Sequence, residues 1–283
     1  MRTSRVIPHV VQVDDLPSLA EKGDIRLVDV RWRLGDPAAG PAMYARGHIP
    51  GAVFADIDRD LAAPPGERGR HPLPSKQAFE AVMQRLGIAD ATRVVAYDDQ
   101  GGATAARLWF LLRYFGHETG AVLDGGVGAF VAAGHALETA LPSPDPRGPF
   151  TATPHPELLA SCDAVRAGLG GSTTLLLDAR AGERYRGEVE PIDPRPGHIP
   201  GALSAPFGEN LRAGKLLPKG ALEARYRGLG AGTKETVVYC GSGVTACHDL
   251  LALAVAGWPD AKLYPGSWSE WSRDPEAPIA VGP

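Results

Sequence analysis

The chain has 283 residues, 44% hydrophobic and 22% charged, with a net charge of -4. That length and balance describe an ordinary water-soluble protein of two domains. They exclude nucleic acid or an acidic membrane surface as the main partner, and no stretch has the length of a membrane span.

In chain order, residues 1–13 lack the apolar core of a signal peptide, so the expected location is the cytoplasm. Leu27-Val28-Asp29-Val30-Arg31 is a short apolar run, followed by Gly47-His48-Ile49-Pro50-Gly51-Ala52, a helical pattern over 75–86, and a second run, Val94-Val95-Ala96-Tyr97-Asp98. A helical pattern from Ala105 ends at Gly116, and Val122-Leu123-Asp124-Gly125-Gly126 closes the series. Leu141-Pro142-Ser143-Pro144-Asp145-Pro146-Arg147-Gly148-Pro149 has four prolines in nine residues, which predicts a stiff, extended linker.

The series then repeats. Leu176-Leu177-Asp178-Ala179-Arg180, Gly197-His198-Ile199-Pro200-Gly201-Ala202, a helical pattern over 222–229, Thr236-Val237-Val238-Tyr239-Cys240, a helical pattern from Ala246 to Gly257, and Lys262-Leu263-Tyr264-Pro265-Gly266 follow in the same order. The offset is about 140–150 residues, the mark of a duplicated domain rather than a solenoid. Short apolar runs alternating with helices predict α/β units around a parallel sheet, whose ligands bind at the carboxyl ends of the strands. The expected division is 1–140, a linker at 141–154, and 155–283.

Cys240 stands at one such strand end and opens the loop Gly241-Ser242-Gly243-Val244-Thr245, with a helix behind it. Small residues there expose backbone N–H groups as an anion-binding nest, and the helix N-terminus adds positive partial charge. Both stabilise a thiolate or the slightly longer persulfide anion. In the first copy Asp98 takes the place of the thiol, which predicts an inactive half. Of the other cysteines, Cys162 reads as a packing residue, and three cysteines make no disulfide framework. Cys240, Cys247 and His248 lack zinc-site spacing, so neither metal nor cofactor is expected.

These motifs, with Gly266-Ser267-Trp268-Ser269-Glu270-Trp271, resemble the tandem-rhodanese sulfurtransferases over nearly the whole chain. The resemblance implies two rhodanese-like domains, each a central parallel sheet flanked by helices, with catalysis in the second. The loop resembles that of the 3-mercaptopyruvate sulfurtransferases. Thiosulfate-preferring members carry basic residues in this loop, and this chain has none. The implied reaction moves sulfane sulfur from a small-molecule donor through Cys240 to a thiol, a thioredoxin-like protein or cyanide. The N–H groups of Gly241, Gly243, Val244 and Thr245 would hold the charged sulfur.

By the same resemblance Arg184 binds the substrate carboxylate. The family's second such arginine lies in Glu-Pro-Arg-Asp, where this chain reads Glu190-Pro191-Ile192-Asp193, leaving Arg195 as the nearest candidate. Ser242, His71 and Asp58 match a proposed serine–histidine–aspartate relay drawing on both halves. His48, His198, Asp29 and Asp178 occur in both copies and read as structural, and Trp268 and Trp271 as packing near the site's mouth. Three other readings compete. A thiosulfate sulfurtransferase would use the same thiol. A cysteine phosphatase needs an arginine where Ala246 stands. A non-enzymatic persulfide carrier needs no donor pocket.

Overall fold

The computed structural model describes residues 7–21, 25–142 and 148–283. Residues 1–6 of the N-terminal stretch and 143–147 of the expected linker lie outside the described residues. The chain divides into two compact units. One comprises the chain up to Ala63 together with Leu73–His155, and the other comprises Pro64–Pro72 together with Pro156–Pro283.

In the first unit β1 (Val10–Val11), β2 (Ile25–Asp29), β3 (Val53–Phe54), β4 (Arg93–Tyr97) and β5 (Gly120–Leu123) form a wholly parallel sheet in the order β1-β5-β4-β2-β3. The helices are α1 (Leu16–Glu21), α2 (Ala39–Arg46), α3 (Lys76–Arg85), α4 (Ala105–Tyr114) and α5 (Gly126–Ala132). A parallel sheet covered by helices buries both faces, so its strands are continuous apolar runs rather than alternating ones. Val94, Val95, Ala96 and Tyr97 are all fully buried. The Ser75 hydroxyl caps α3, accepting from the Ala78 N–H at 3.2 Å.

The second unit repeats the design. Its parallel sheet, in the order β11-β10-β6-β7, uses β6 (Thr174–Asp178), β7 (Leu203–Ser204), β10 (Glu235–Tyr239) and β11 (Lys262–Leu263). A small antiparallel hairpin, β8 (Leu211–Arg212) and β9 (Lys215–Leu216), stands apart. The helices are α6 (Cys162–Ala167), α7 (Gly182–Tyr185), α8 (Lys219–Gly228), α9 (Ala246–Ala256) and α10 (Ser267–Trp271). The helix expected over 222–229 begins three residues earlier, directly after Pro218. α9 is buried along almost its whole length and ends at Gly257, whose φ of 111° gives the left-handed cap.

The Gly-His-Ile-Pro-Gly turns have the same structural work in both units. His48 Nδ1 lies 2.9 Å from the Tyr44 carbonyl and its ring stacks on Tyr44; His198 Nδ1 lies 2.8 Å from the Tyr185 carbonyl and stacks on Tyr185. The N–H of the next residue, Ile49 or Ile199, donates to the hydroxyl of Tyr97 or Tyr239 at the end of the central strand. Asp29 and Asp178 are fully buried, each holding an arginine two residues on, Arg31 or Arg180. These contacts fasten the turn to the strand ends in both units.

One buried acid works against stability. Asp249 of α9 is fully buried; its Oδ1 accepts from Asn210 Nδ2 at 2.7 Å and its Oδ2 has no hydrogen-bond partner among the described residues. Burial pushes its carboxyl up from 3.8 to about 7, against the opposing pull of Arg225. An acid raised in the folded state holds a proton that the unfolded chain releases, so stability falls as pH rises from about 4 to about 7. Each unit of that window is worth about 1.4 kcal/mol. Asp249→Asn should remove this slope, so that in urea titrations its stability relative to the native chain grows from pH 4 to pH 8. A pH-independent difference would contradict the assignment.

Candidate active site

The site forms where β10 ends and α9 begins. A buried strand followed by Gly-Ser-Gly can turn sharply into a helix because Gly243 adopts φ +77°, and a Cβ there would meet the Pro265 carbonyl at 2.5 Å. Cys240 is only 1% exposed, so its sulfur lies at the floor of the loop. The Gly243 N–H donates to Cys240 Sγ at 3.1 Å. The N–H groups of Ser242, Val244, Thr245 and Ala246 donate to no other group among the described residues. From beneath, the buried Cys247 thiol donates to the Gly243 carbonyl at 3.3 Å.

The equivalent loop of the first unit shows what such a nest receives. Asp98 Oδ1 accepts the N–H groups of Gln100 and Gly102 at 2.8 and 2.9 Å. Its Oδ2 accepts those of Thr104 and Ala105 at 2.8 and 2.9 Å. Four backbone donors thus converge on one carboxylate. Ser242, Val244 and Ala246 stand at the positions of Gln100, Gly102 and Thr104.

α10 closes the floor. The Cys240 and Gly241 carbonyls accept from the N–H groups of Trp268 and Ser269 at 2.9 and 2.8 Å, and the Cys240 N–H donates to Ser267 Oγ at 3.1 Å. Sequence reasoning passed over Ser267. It holds φ +54°, a conformation costly for a residue with a side chain; by the matching bonds from Val127 and Trp268 its structural counterpart is Gly126, at φ +55°, one place on from the sequence pairing of Gly126 with Gly266. Trp268 and Trp271 are fully buried, so they belong to the core rather than the mouth of the site. Their indole N–H groups are satisfied by the carbonyls of Arg195 and Pro278, which is why such large rings can be taken in whole.

Residues 64–72 join the site although they precede it by far in sequence. Gly69, at φ +97°, lets this segment approach α10 so closely that a Cβ would meet the Gly266 carbonyl at 2.7 Å. The Arg70 N–H then donates to Ser269 Oγ at 3.0 Å, and His71 Nδ1 lies 2.7 Å from Ser242 Oγ. His71 and Ser242 are therefore brought together as the sequence predicted. Asp58 belongs to the first unit, where its Oδ2 accepts from Trp32 Nε1 at 2.8 Å.

Arg184, in α7, donates to Glu190 Oε1 at 2.6 Å and Asp193 Oδ2 at 3.2 Å. It lies beside Gly241: a Cβ on that glycine would come 3.4 Å from Arg184 Nη1. Arg195 is elsewhere. Its guanidinium donates to the carbonyls of Ser272, Ala277, Trp271 and Asp274, so it latches the end of the chain and has no fork left for a substrate. A depression of about 810 Å³ in this unit is lined by Thr173, Glu235 and Lys262 at the amino ends of the strands, the end opposite Cys240.

Comparison with known proteins gives one answer. The family model of the rhodanese-like domain matches residues 12–133 and 161–274. The chain is 47% identical over 280 residues to a Pseudomonas aeruginosa protein named "Probable 3-mercaptopyruvate sulfurtransferase", covering 97% of this chain and 98% of that one. It is 44% identical to a Mycobacterium tuberculosis protein with the provisional name thiosulfate sulfurtransferase SseB, covering 96% and 97%. The crystal structure of the Escherichia coli 3-mercaptopyruvate sulfurtransferase SseA superposes with a TM-score of 0.80 at 36% identity, covering 93% of this chain and all of that one.

The Ser267 hydroxyl should be needed for stability. Ser267→Ala leaves the buried Cys240 N–H without a partner while keeping the positive φ, at a cost of about 1–3 kcal/mol. Ser267→Gly loses the same bond and relieves the backbone, so it should be the milder change in urea denaturation. An alanine variant as stable as the glycine one would show that the hydroxyl, not the φ, sets the cost.

Proposed function

The chain belongs to the rhodanese-like family, in two copies, and on that premise we propose that it transfers sulfur from 3-mercaptopyruvate through a persulfide on Cys240. The observation that carries the reading is the pair of equivalent loops. In Asp98 the Oδ atoms, two bonds beyond Cβ, receive four N–H groups. The outer sulfur of a cysteine persulfide is also two bonds beyond Cβ. The Cys240 loop thus offers uncommitted donors at the distance where a persulfide carries its charge, electrostatic stabilisation by fixed dipoles.

In the proposed reaction the Cys240 thiolate attacks the donor sulfur. The S–S bond forms as the C–S bond breaks, and the electron pair leaves on carbon as pyruvate enolate. Ser242, with His71 at 2.7 Å, supplies the proton that converts the enolate to pyruvate. Both residues lie in the second unit. A thiol, a thioredoxin-like dithiol or cyanide then attacks the outer sulfur and returns Cys240 as thiolate. A cycling free thiol suits a reducing compartment, and we assign the reaction to the cytoplasm. Among the described residues no helix is long and apolar enough to cross a membrane.

A thiosulfate donor is the second reading. The absence of a basic residue from the loop does not leave the site without positive charge, because the guanidinium groups of Arg70 and Arg184 both flank Gly241. Their buried partners Asp193 and Glu190 offset both charges, however, and a neutral site takes a monoanion more readily than a dianion. We therefore expect kcat/KM for 3-mercaptopyruvate to exceed that for thiosulfate on one preparation; a wide margin the other way would refute the donor assignment.

Donor treatment should add the mass of one sulfur atom to the intact protein. Cys240→Ser should abolish both the mass gain and turnover, whereas Cys247→Ser should retain most activity. Turnover surviving in Cys240→Ser would end the persulfide reading. His71→Ala should lower kcat by roughly the 10²–10⁴-fold typical of general acid–base groups. A chain begun at Phe150 lacks residues 64–72 and should lose at least as much; equal activity in either case would remove His71 from the mechanism.

A further inference from the structure

Arg70 is tied to the same acid as Arg184. Its Nη1 donates to Asp193 Oδ1, and Arg184 Nη2 donates to Asp193 Oδ2 at 3.2 Å. One carboxylate therefore bridges two guanidinium groups, one from α7 and one from a segment 123 residues before the acid. Asp193 is itself fixed, since its N–H and that of Ile192 donate to Glu190 Oε1 at 3.0 and 3.1 Å. Glu190 Oε2 is anchored in turn by the buried Arg180.

The acids are buried and the cations reach outward. The side chains of Asp193 and Glu190 are 2% and 3% exposed, against 17% for both Arg70 and Arg184. The bridging acid uses one edge of each arginine. The other edges turn to the thiol loop, where a Cβ on Gly241 would lie 3.0 Å from Arg70 Nη2 and 3.4 Å from Arg184 Nη1. Neither of these nitrogens donates to another group among the described residues, and the Nε of each arginine is likewise unpartnered. Two planar forks held side by side, with N–H groups unspent and one residue from the nucleophile, suit a carboxylate.

We propose that Arg70 is the second guanidinium of the donor-carboxylate site, paired with Arg184, and that Asp193 is the positioning residue that holds the two in register. This deepens the mercaptopyruvate reading and rests on it. Arg70 supplies the second guanidinium fork that Ile192 cannot, and it comes from a different segment. The occupant is a small monoanionic carboxylate whose sulfur lies next to Cys240. The clamp orients the donor and takes no part in bond making.

Selectivity for the carboxylate tests the idea. Mercaptoacetone keeps the carbonyl and the thiol of mercaptopyruvate and lacks the carboxylate. In Arg70→Ala the ratio of kcat/KM for mercaptopyruvate to that for mercaptoacetone should fall about ten- to hundredfold, mainly through KM for mercaptopyruvate. Arg70→Lys, which keeps the charge without the fork, should fall less, and serves if the alanine variant does not fold. Asp193→Asn should lower the same ratio. Alkylation of Cys240 gives a reading that needs no turnover: the ratio of iodoacetate to iodoacetamide rates should drop in Arg70→Ala. That ratio stands even if mercaptopyruvate proves not to be the donor, so it separates failure of the clamp from failure of the donor assignment. An unchanged alkylation ratio, or equal losses for both donors, would overturn the role of Arg70.

Discussion

The convergence of backbone N–H groups at the end of the central strand is the constraint on which both units depend. A strand that stops inside the protein and turns directly into a buried helix leaves several N–H groups pointing at one spot with no intrahelical acceptor. In the first unit the spot is filled by the Asp98 carboxylate, which the chain carries there itself. In the second it is given to a sulfur atom that, among the described residues, accepts from the Gly243 N–H alone. The same backbone therefore makes a finished strut in one copy and a reactive centre in the other. The donors belong to the loop and not to its occupant, although the Cys247 N–H, at the position of Ala105, is spent on the Val244 carbonyl.

Around that spot the second unit is charged and buried, and each charge is placed by another. Asp178 holds Arg180, Arg180 holds Glu190, Glu190 holds Arg184 and the turn that carries Asp193, and Asp193 holds Arg70. Arg180 also lies 4.6 Å over the ring of Trp268, whose N–H holds the Cys240 carbonyl. Burying ions in this way is costly unless every member is paired. The return is position: the two outermost guanidinium groups are fixed beside Gly241 with part of their hydrogen-bonding capacity unspent.

Much of this was legible in the sequence because it is local or repeated. The duplicated strand–turn–helix series gave both sheets and the Cys240 loop, since a glycine-rich stretch behind a buried run has few other uses. The repeat also marked His48 and His198 as structural, and their stacking on Tyr44 and Tyr185 explains why. The resemblance pointed to Ser242 and His71 together. What stayed hidden is long-range. Nothing near Arg70 in sequence announces Asp193, and a partition into continuous halves assigns residues 64–72 to the first half, whereas they pack with the second. Arg195 was misplaced for the complementary reason. Proximity along the chain suggested the substrate, but four backbone carbonyls at the end of the chain are nearer to its guanidinium.

The excursion of residues 64–72 also bears on what a lone second copy would lack. A lone second copy contains the nucleophile, the nest and Arg184, but not Gly69, Arg70 or His71. The segment is held by close backbone approach together with the Arg70–Asp193 ion pair and the His71–Ser242 contact. Gly69 closes onto Gly266, Gly66 accepts from Arg273, and the Arg70 N–H meets Ser269. A nine-residue stretch docked in this way would pay a large entropic cost if it were free in solution. Tethering both its ends to a folded unit removes most of that cost, since the segment then searches a small volume. The first copy thus holds both ends of the strap that carries His71 to Ser242 and Arg70 to Gly241.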